Sequence, residues 1–258
     1  MLVLCHGQKP SGETAKNYTI DWIDVSEKNN LIIVTPEWDR SNWGSDGGRY
    51  PGGGYRGNFG KYLRADVFLN QIVDLYKNIT LTTTSKKSMF YLYGHSAGGQ
   101  FVSRYIVMHP ERYIAAAITA AGSYAWPDPN TKWPYGMNTL DDDNVKWINY
   151  PLQYNYKYNP EEIYWAFAAT KKVAVIVGTK DTKTSGVPSV PGNKGVNRIQ
   201  RGQFWINDMR TFARQNYFTP NIRFYLANGI GHNSTDLFPF AKKFLFSGPF
   251  SGDVINDI

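Results

Sequence analysis

The sequence predicts an α/β protein: a mostly parallel sheet covered by helices on both faces. Short apolar runs recur along the chain and are near-continuous rather than alternating, which is how strands buried on both faces read. Between them stand stretches with apolar residues at helical spacing, and strand and helix in alternation build a parallel sheet flanked by helices. The 258 residues are 42% hydrophobic and 19% charged, which supplies a sizeable core and excludes a disordered or low-complexity chain.

Taken in order, the expected strands are Leu2–Cys5, Leu31–Val34, Met89–Tyr93, Ile114–Ala120, Val173–Val177 and Ile222–Leu226. Phe68, Ile72, Leu75 and Tyr76 give the stretch Lys61–Lys77 one helical face, and Phe101, Val102, Tyr105, Ile106 and Met108 give another after Gly99. Trp205, Met209, Phe212 and Ala213 repeat the pattern, and Phe240, Ala241 and Phe244 close it. Two segments break the alternation. Asp39–Gly60 interleaves glycines with Trp43, Tyr50, Tyr55 and Phe59 and reads as a loop. It is no phosphate loop, because Tyr62 stands where Ser or Thr is needed and Tyr55 where the first glycine is needed. Ser123–Trp165 is rich in Trp, Tyr and Pro, is weakly periodic and lies between two core strands, which suits a lid. The expectation is one domain over 1–258 with an aromatic-rich, lid-like insertion at about 123–165.

Charge and cysteine content narrow the function classes. The net charge of +7 is spread in ones and twos with no basic run of five, so it reads as solubilising surface charge rather than a nucleic-acid footprint. No apolar run approaches the roughly 18–20 residues of a membrane span. The first residues carry neither a basic region nor a cleavage site, so no signal peptide is expected. A single cysteine, Cys5, excludes an intramolecular disulfide framework and a multi-thiolate zinc site. No metal or organic cofactor is implied.

The motif that carries chemistry is Gly94-His95-Ser96-Ala97-Gly98, set between an apolar strand and an apolar-faced helix. That context is what a nucleophile elbow requires, with small residues where the turn crowds the backbone around a strained serine. Ser96 would stand at a helix N-terminus, where the backbone dipole favours developing negative charge. A serine hydroxyl needs a base and an orienting carboxylate. Of the four histidines, His6 and His95 are expected to pack or hydrogen-bond locally, and His109 sits beside Pro110 at a helix C-terminus. His232 follows a late core strand and is the expected base. Asp181 lies four residues past the strand Val173–Val177 and is the expected acid, whereas Asp128, Asp141, Asp142, Asp143 and Asp208 lie at no strand end. The backbone amides of Ala97 and Gln8 are the expected oxyanion donors, the latter from the loop His6-Gly7-Gln8 after the first strand. Cys5, within that strand, reads as a small buried hydrophobe.

On these motifs the chain resembles α/β-hydrolases of the bacterial poly(3-hydroxybutyrate) depolymerase-like and feruloyl-esterase-like carboxylesterase group. The resemblance runs through Gly94–Tyr105, His109–Arg112, Ala121–Pro127, Trp133–Gly136, Gly178–Thr182, Gly195–Gly202 and Gly231-His232. It implies Ser96 as nucleophile, Asp181 as acid and His232 as base, and an α/β-hydrolase fold whose usual first strands are missing ahead of Met1. The expected function is a serine carboxylesterase acting on a small-molecule or polymeric ester, with Trp126, Trp133, Tyr135 and Trp147 shaping substrate access. A polyester depolymerase and a feruloyl or acetyl esterase on polysaccharide are the alternatives within the class. A non-catalytic hydrolase-fold binding protein would be expected to lack a triad member, and here all three stand in place.

Overall fold

The computed structural model describes residues 1–7, 13–38, 65–80, 89–131, 135–138, 162–185, 187, 189, 192, 194–247 and 254–255. Its strands are β1 (Leu2–Cys5), β2 (Ile33–Val34), β3 (Phe90–His95), β4 (Tyr113–Thr119), β5 (Lys172–Gly178), β6 (Ile222–Ala227) and β7 (Val254–Ile255). They form one sheet in the order β2-β1-β3-β4-β5-β6-β7. Every neighbouring pair from β2 to β6 is parallel, and β7 closes the far edge antiparallel to β6.

Each of the longer strands is buried on both faces, and alternate residues feed two separate cores. Val3, Cys5, Phe90, Leu92, Ala116, Ile118, Val173, Val175 and Val177 face one side. Leu2, Leu4, Tyr93, Ala115, Ala117, Ala174 and Ile176 face the other. The first side is covered by α2 (Ala65–Thr80), α3 (Ala97–Met108), α4 (Glu162–Thr170) and α5 (Arg198–Gln215). The second is covered by α1 (Glu13–Lys28) and α6 (Ser234–Phe246), which bring Tyr18, Trp22, Leu237, Phe238 and Phe244 onto the sheet. The continuous apolar strands of the sequence are thus the central strands of a two-sided sheet, as periodicity alone implies.

The expected strands recur with shifts of a residue or two, except that the pairing of the second shrinks to Ile33–Val34. Helix α2 is described over Ala65–Thr80, past the expected end at Lys77, and 61–64 lie outside the described residues. Two helices have no counterpart in the sequence reading. In α1 the buried stripe of Ala15, Tyr18 and Trp22 is narrow, and the exposed Ile20 and Ile23 dilute the period. In α4 there is no polar face to create a period, because the exposed Ile163 and Tyr164 are as apolar as the buried Trp165, Ala166, Ala168 and Ala169. Within the expected lid, 132–134 and 139–161 lie outside the described residues. The described ends belong to the core: Tyr124, Ala125 and Trp126 are buried at one end and Trp165 at the other. Segment 39–60 also lies outside the described residues. Among the described residues no helix is long and apolar enough to cross a membrane.

Candidate active site

Strand β3 ends at His95 and helix α3 begins at Ala97, so Ser96 carries the whole change of direction. It does so at φ 53° and ψ −110°, a region that costs a non-glycine residue about 1–3 kcal/mol and persists only when the surroundings impose it. Here they do. The Ser96 N–H donates to the Thr119 carbonyl at 2.8 Å, and the Ser96 carbonyl accepts from Gln100 N–H at 3.0 Å as the first bond of α3. The turn also presses α3 against β1: a Cβ on Gly98 would run into the Cys5 carbonyl, so only glycine permits the approach. Ala97 is the first residue of α3, and its N–H has no carbonyl four residues back within the helix. It lies beside Ser96 at the helix's positive end.

The other two groups arrive on loops that are tied to each other. After β5, the Thr179 N–H donates to the Ala227 carbonyl at 2.9 Å and the Lys180 N–H to the Ile230 carbonyl at 2.8 Å. The Gly229 N–H returns a bond to Thr179 Oγ1 at 2.9 Å. A Cβ on Gly178 would strike the Ile230 carbonyl, so the two loops touch backbone to backbone. This fastening holds Asp181 and His232 in one geometry. His232 Nδ1 lies 2.7 Å from Asp181 Oδ2, and His232 Nε2 lies 3.1 Å from Ser96 Oγ. Asp181 in its ionised form only accepts, so Nδ1 carries the proton and Nε2 presents its lone pair to the serine hydroxyl. The Asp181 side chain is 1% exposed and that of His232 34% exposed: the carboxylate is sealed and the imidazole is partly open to solvent.

The remaining histidines are placed differently. His95 is buried under the elbow, its Nδ1 3.0 Å from Thr119 Oγ1 and its ring 5.0 Å from that of His232. Thr119 Oγ1 donates to the Gly94 carbonyl and lies 2.9 Å from the Tyr93 hydroxyl, so with its proton committed it accepts from His95. Burial first, and then the charges of His232 and Arg198, push His95 well below the ordinary histidine value of 6.5. It stays neutral beside the base. His6 Nε2 accepts from the Trp38 N–H at 3.1 Å, leaving Nδ1–H to donate to the Gly7 carbonyl at 2.8 Å. Burial lowers its pKa too. His109 caps α3 at its C-terminus and meets Asp66 of α2 at 2.9 Å.

Of the other expected site residues, Gln8, Trp133 and Trp147 lie outside the described residues. Trp126 is 1% exposed and part of the core, with the Lys194 ammonium 5.9 Å from its ring. Tyr135 is half-buried, with the Arg104 guanidinium 5.3 Å from its ring. The sequence reading missed one residue of the site, Arg198. It stands at the start of α5 and donates through Nη1 to Asp181 Oδ1 at 3.2 Å, taking the carboxylate oxygen that His232 leaves free.

No family model matches the chain, and no curated protein does. Solved structures do. Poly(aspartic acid) hydrolase-1 from Sphingomonas sp. KT-1 is 25% identical over 94% of this chain and 86% of its own, with a TM-score of 0.72. LpqC, a poly(3-hydroxybutyrate) depolymerase from Bordetella parapertussis, is 20% identical over 97% and 80%, with a TM-score of 0.74. A ferulic acid esterase is 14% identical over 94% and 83%, with a TM-score of 0.51. The chain has the α/β-hydrolase fold, and at the carboxyl ends of its parallel strands Ser96, His232 and Asp181 stand in the geometry of a serine-hydrolase triad.

Proposed function

We propose that the protein is a carboxylesterase that works through an acyl-enzyme on Ser96. The observation that carries the reading is the unbroken relay from Ser96 Oγ through His232 to Asp181, aimed from a strained elbow at the N-terminus of α3. As Ser96 Oγ attacks the ester carbonyl, its proton passes to His232 Nε2, and Asp181 stabilises the imidazolium that forms. The tetrahedral oxyanion accepts from the Ala97 N–H and, in this reading, the Gln8 N–H. Collapse breaks the C–O bond to the alcohol, which leaves with the proton from His232. A water deprotonated by the same nitrogen then attacks the acyl carbon and frees the acid and Ser96. Trp133, Tyr135 and Trp147 are assigned to shaping acyl access, and the buried Trp126 to the core beneath that segment's described start.

A polymeric substrate is favoured over a small ester by one observation: the two similar chains with TM-scores of 0.72 and 0.74 are named as acting on polymers, poly(aspartic acid) and poly(3-hydroxybutyrate). Turnover should be compared on short nitrophenyl esters, feruloyl esters, poly(3-hydroxybutyrate) film and poly(aspartic acid), alongside labelling by a fluorophosphonate with mapping of the modified residue. Labelling at Ser96 with ester turnover is expected. Turnover of poly(aspartic acid) with none of any ester overturns the ester assignment, and labelling at another serine overturns the mechanism.

A further inference from the structure

We propose that Arg198 is a positioning residue of the triad: it locks the Asp181 carboxylate through the oxygen that His232 does not use, and its charge helps set the pH at which His232 acts as a base. This rests on the reading of Ser96, His232 and Asp181 as a working triad.

The carboxylate is held from two sides by two different elements. Arg198 Nη1 donates to Oδ1 at 3.2 Å and His232 Nδ1 donates to Oδ2 at 2.7 Å. A carboxylate with a single partner can rotate about its terminal bond. One held at both oxygens keeps the lone pair on Oδ2 aimed at the imidazole. Arginine suits this task because its guanidinium stays charged and its donors are set in a rigid plane. The pair is dry, with side chains 8% and 1% exposed, so solvent screens the contact little.

The base of Arg198 is itself anchored. Asn197 caps α5 by accepting from the Gln200 N–H at 3.0 Å. One turn on, Arg201 donates to the Gly122 carbonyl at 2.8 Å and to the Gly195 carbonyl at 3.0 Å. The first turn of α5 is thereby tied to the segment after β4 and to the loop before the helix. A guanidinium presented from such a mount does not wander.

The charged and titratable groups around His232 come from several elements. Asp181 from the loop after β5 favours the imidazolium. Arg198 from α5, behind that carboxylate, opposes it, with Arg201 and the buried Tyr124 beyond. His95 below the elbow is neutral, and Asp236 stands in the first turn of α6 next to the His232 loop. Removing the Arg198 cation therefore leaves the pull of Asp181 less opposed, and the proton on His232 is held to higher pH.

The test uses the full chain with Arg198→Met, Arg198→Gln and Arg198→Lys, and reads both 4-nitrophenyl acetate turnover and the rate of fluorophosphonate labelling of Ser96 across pH. Arg198→Met and Arg198→Gln should lower kcat about ten- to a hundred-fold with KM within about two-fold, and should raise the pH midpoint by about half a unit or more. Arg198→Lys keeps the charge without the planar fork, so it should lose kcat but hold the wild-type midpoint. Arg112→Met, which breaks an arginine contact to Asp74 away from the site, should lower thermal stability without moving the midpoint. Should Arg198→Met fail to fold, the Gln and Lys variants decide, and equal midpoints in those two overturn the proposal. A wild-type labelling rate and midpoint in Arg198→Met overturn it as well. Loss of labelling at Ser96 in the unmodified chain would instead overturn the triad on which it rests.

Discussion

Among the described residues two histidine–aspartate pairs stand in this molecule, and they have opposite surroundings. His232 and Asp181 meet at 2.7 Å with the imidazole 34% exposed, and the second nitrogen reaches Ser96. His109 and Asp66 meet at 2.9 Å with side chains 2% and 4% exposed, and the Tyr105 ring lies 4.8 Å from the imidazole. Residue types and separations are nearly the same. What differs is the setting of the imidazole: His232 reaches the Ser96 hydroxyl from a partly exposed position, whereas the His109 imidazole is buried between α2 and the end of α3. A histidine–carboxylate pair is therefore chemical machinery only where the fold sets its far nitrogen beside a reacting group. Elsewhere it is a buried polar contact that joins two helices.

The contrast can be broken or sharpened by mutation. The largest effect is expected at the target of the open pair: Ser96→Ala should reduce kcat by about 10⁴- to 10⁶-fold while leaving the thermal unfolding transition near its wild-type position. Asp181→Asn comes next, with a loss of about 10² to 10⁴ in kcat by analogy with serine-protease triads; steady-state kinetics on one nitrophenyl ester measures both. In the sealed pair, Asp66→Asn should do the reverse, costing about 1–3 kcal/mol in denaturant unfolding with kcat/KM of the folded enzyme within about two-fold. Catalysis lost at Asp66 without loss of stability would erase the distinction between the pairs.

The smallest effect is one of pH, and it separates open from sealed histidines in a single protein. Burial lowers the pKa values of His6 and His95 below the ordinary 6.5. Above that value both are neutral whether the chain is folded or not, so their contribution is fully present. As pH falls below it, the unfolded chain binds protons that the folded chain refuses, and stability declines by about 1.4 kcal/mol for each pKa unit of depression. Melting temperatures should therefore fall from about pH 7 toward pH 5, while kcat/KM rises with pH through one ionisation. Two ionisations in the rate profile would mean that His95 is not kept neutral, and a flat melting curve would mean that neither histidine is sealed.

Local pattern carries far in this chain where the physics is local. Six strands are legible because burial on both faces makes them continuously apolar, and the elbow is legible because a strand, a crowded turn and a helix follow one another without a gap. Asp181 and His232 could be found because strand order places them at strand ends. The pattern fails at α1, whose exposed Ile20 and Ile23 blur a narrow buried stripe, and at α4, where the exposed positions, Ile163 and Tyr164, are as apolar as the buried ones and no polar face reveals a helix.

Arg198 lies beyond local inference for a different reason. It is 17 residues from Asp181, in a helical turn that contains another buried arginine, and nothing in its neighbours separates a cation holding the triad from one holding the carbonyls of Gly122 and Gly195. The same holds for the sealed pair, 43 residues apart. Which lone pair a buried charge meets depends on how two helices and two loops seat against the sheet, and no spacing along the chain encodes that. Composition and periodicity therefore determine the sheet and the nucleophile, whereas the packing of α2, α3 and α5 determines which histidine works and what holds its carboxylate still.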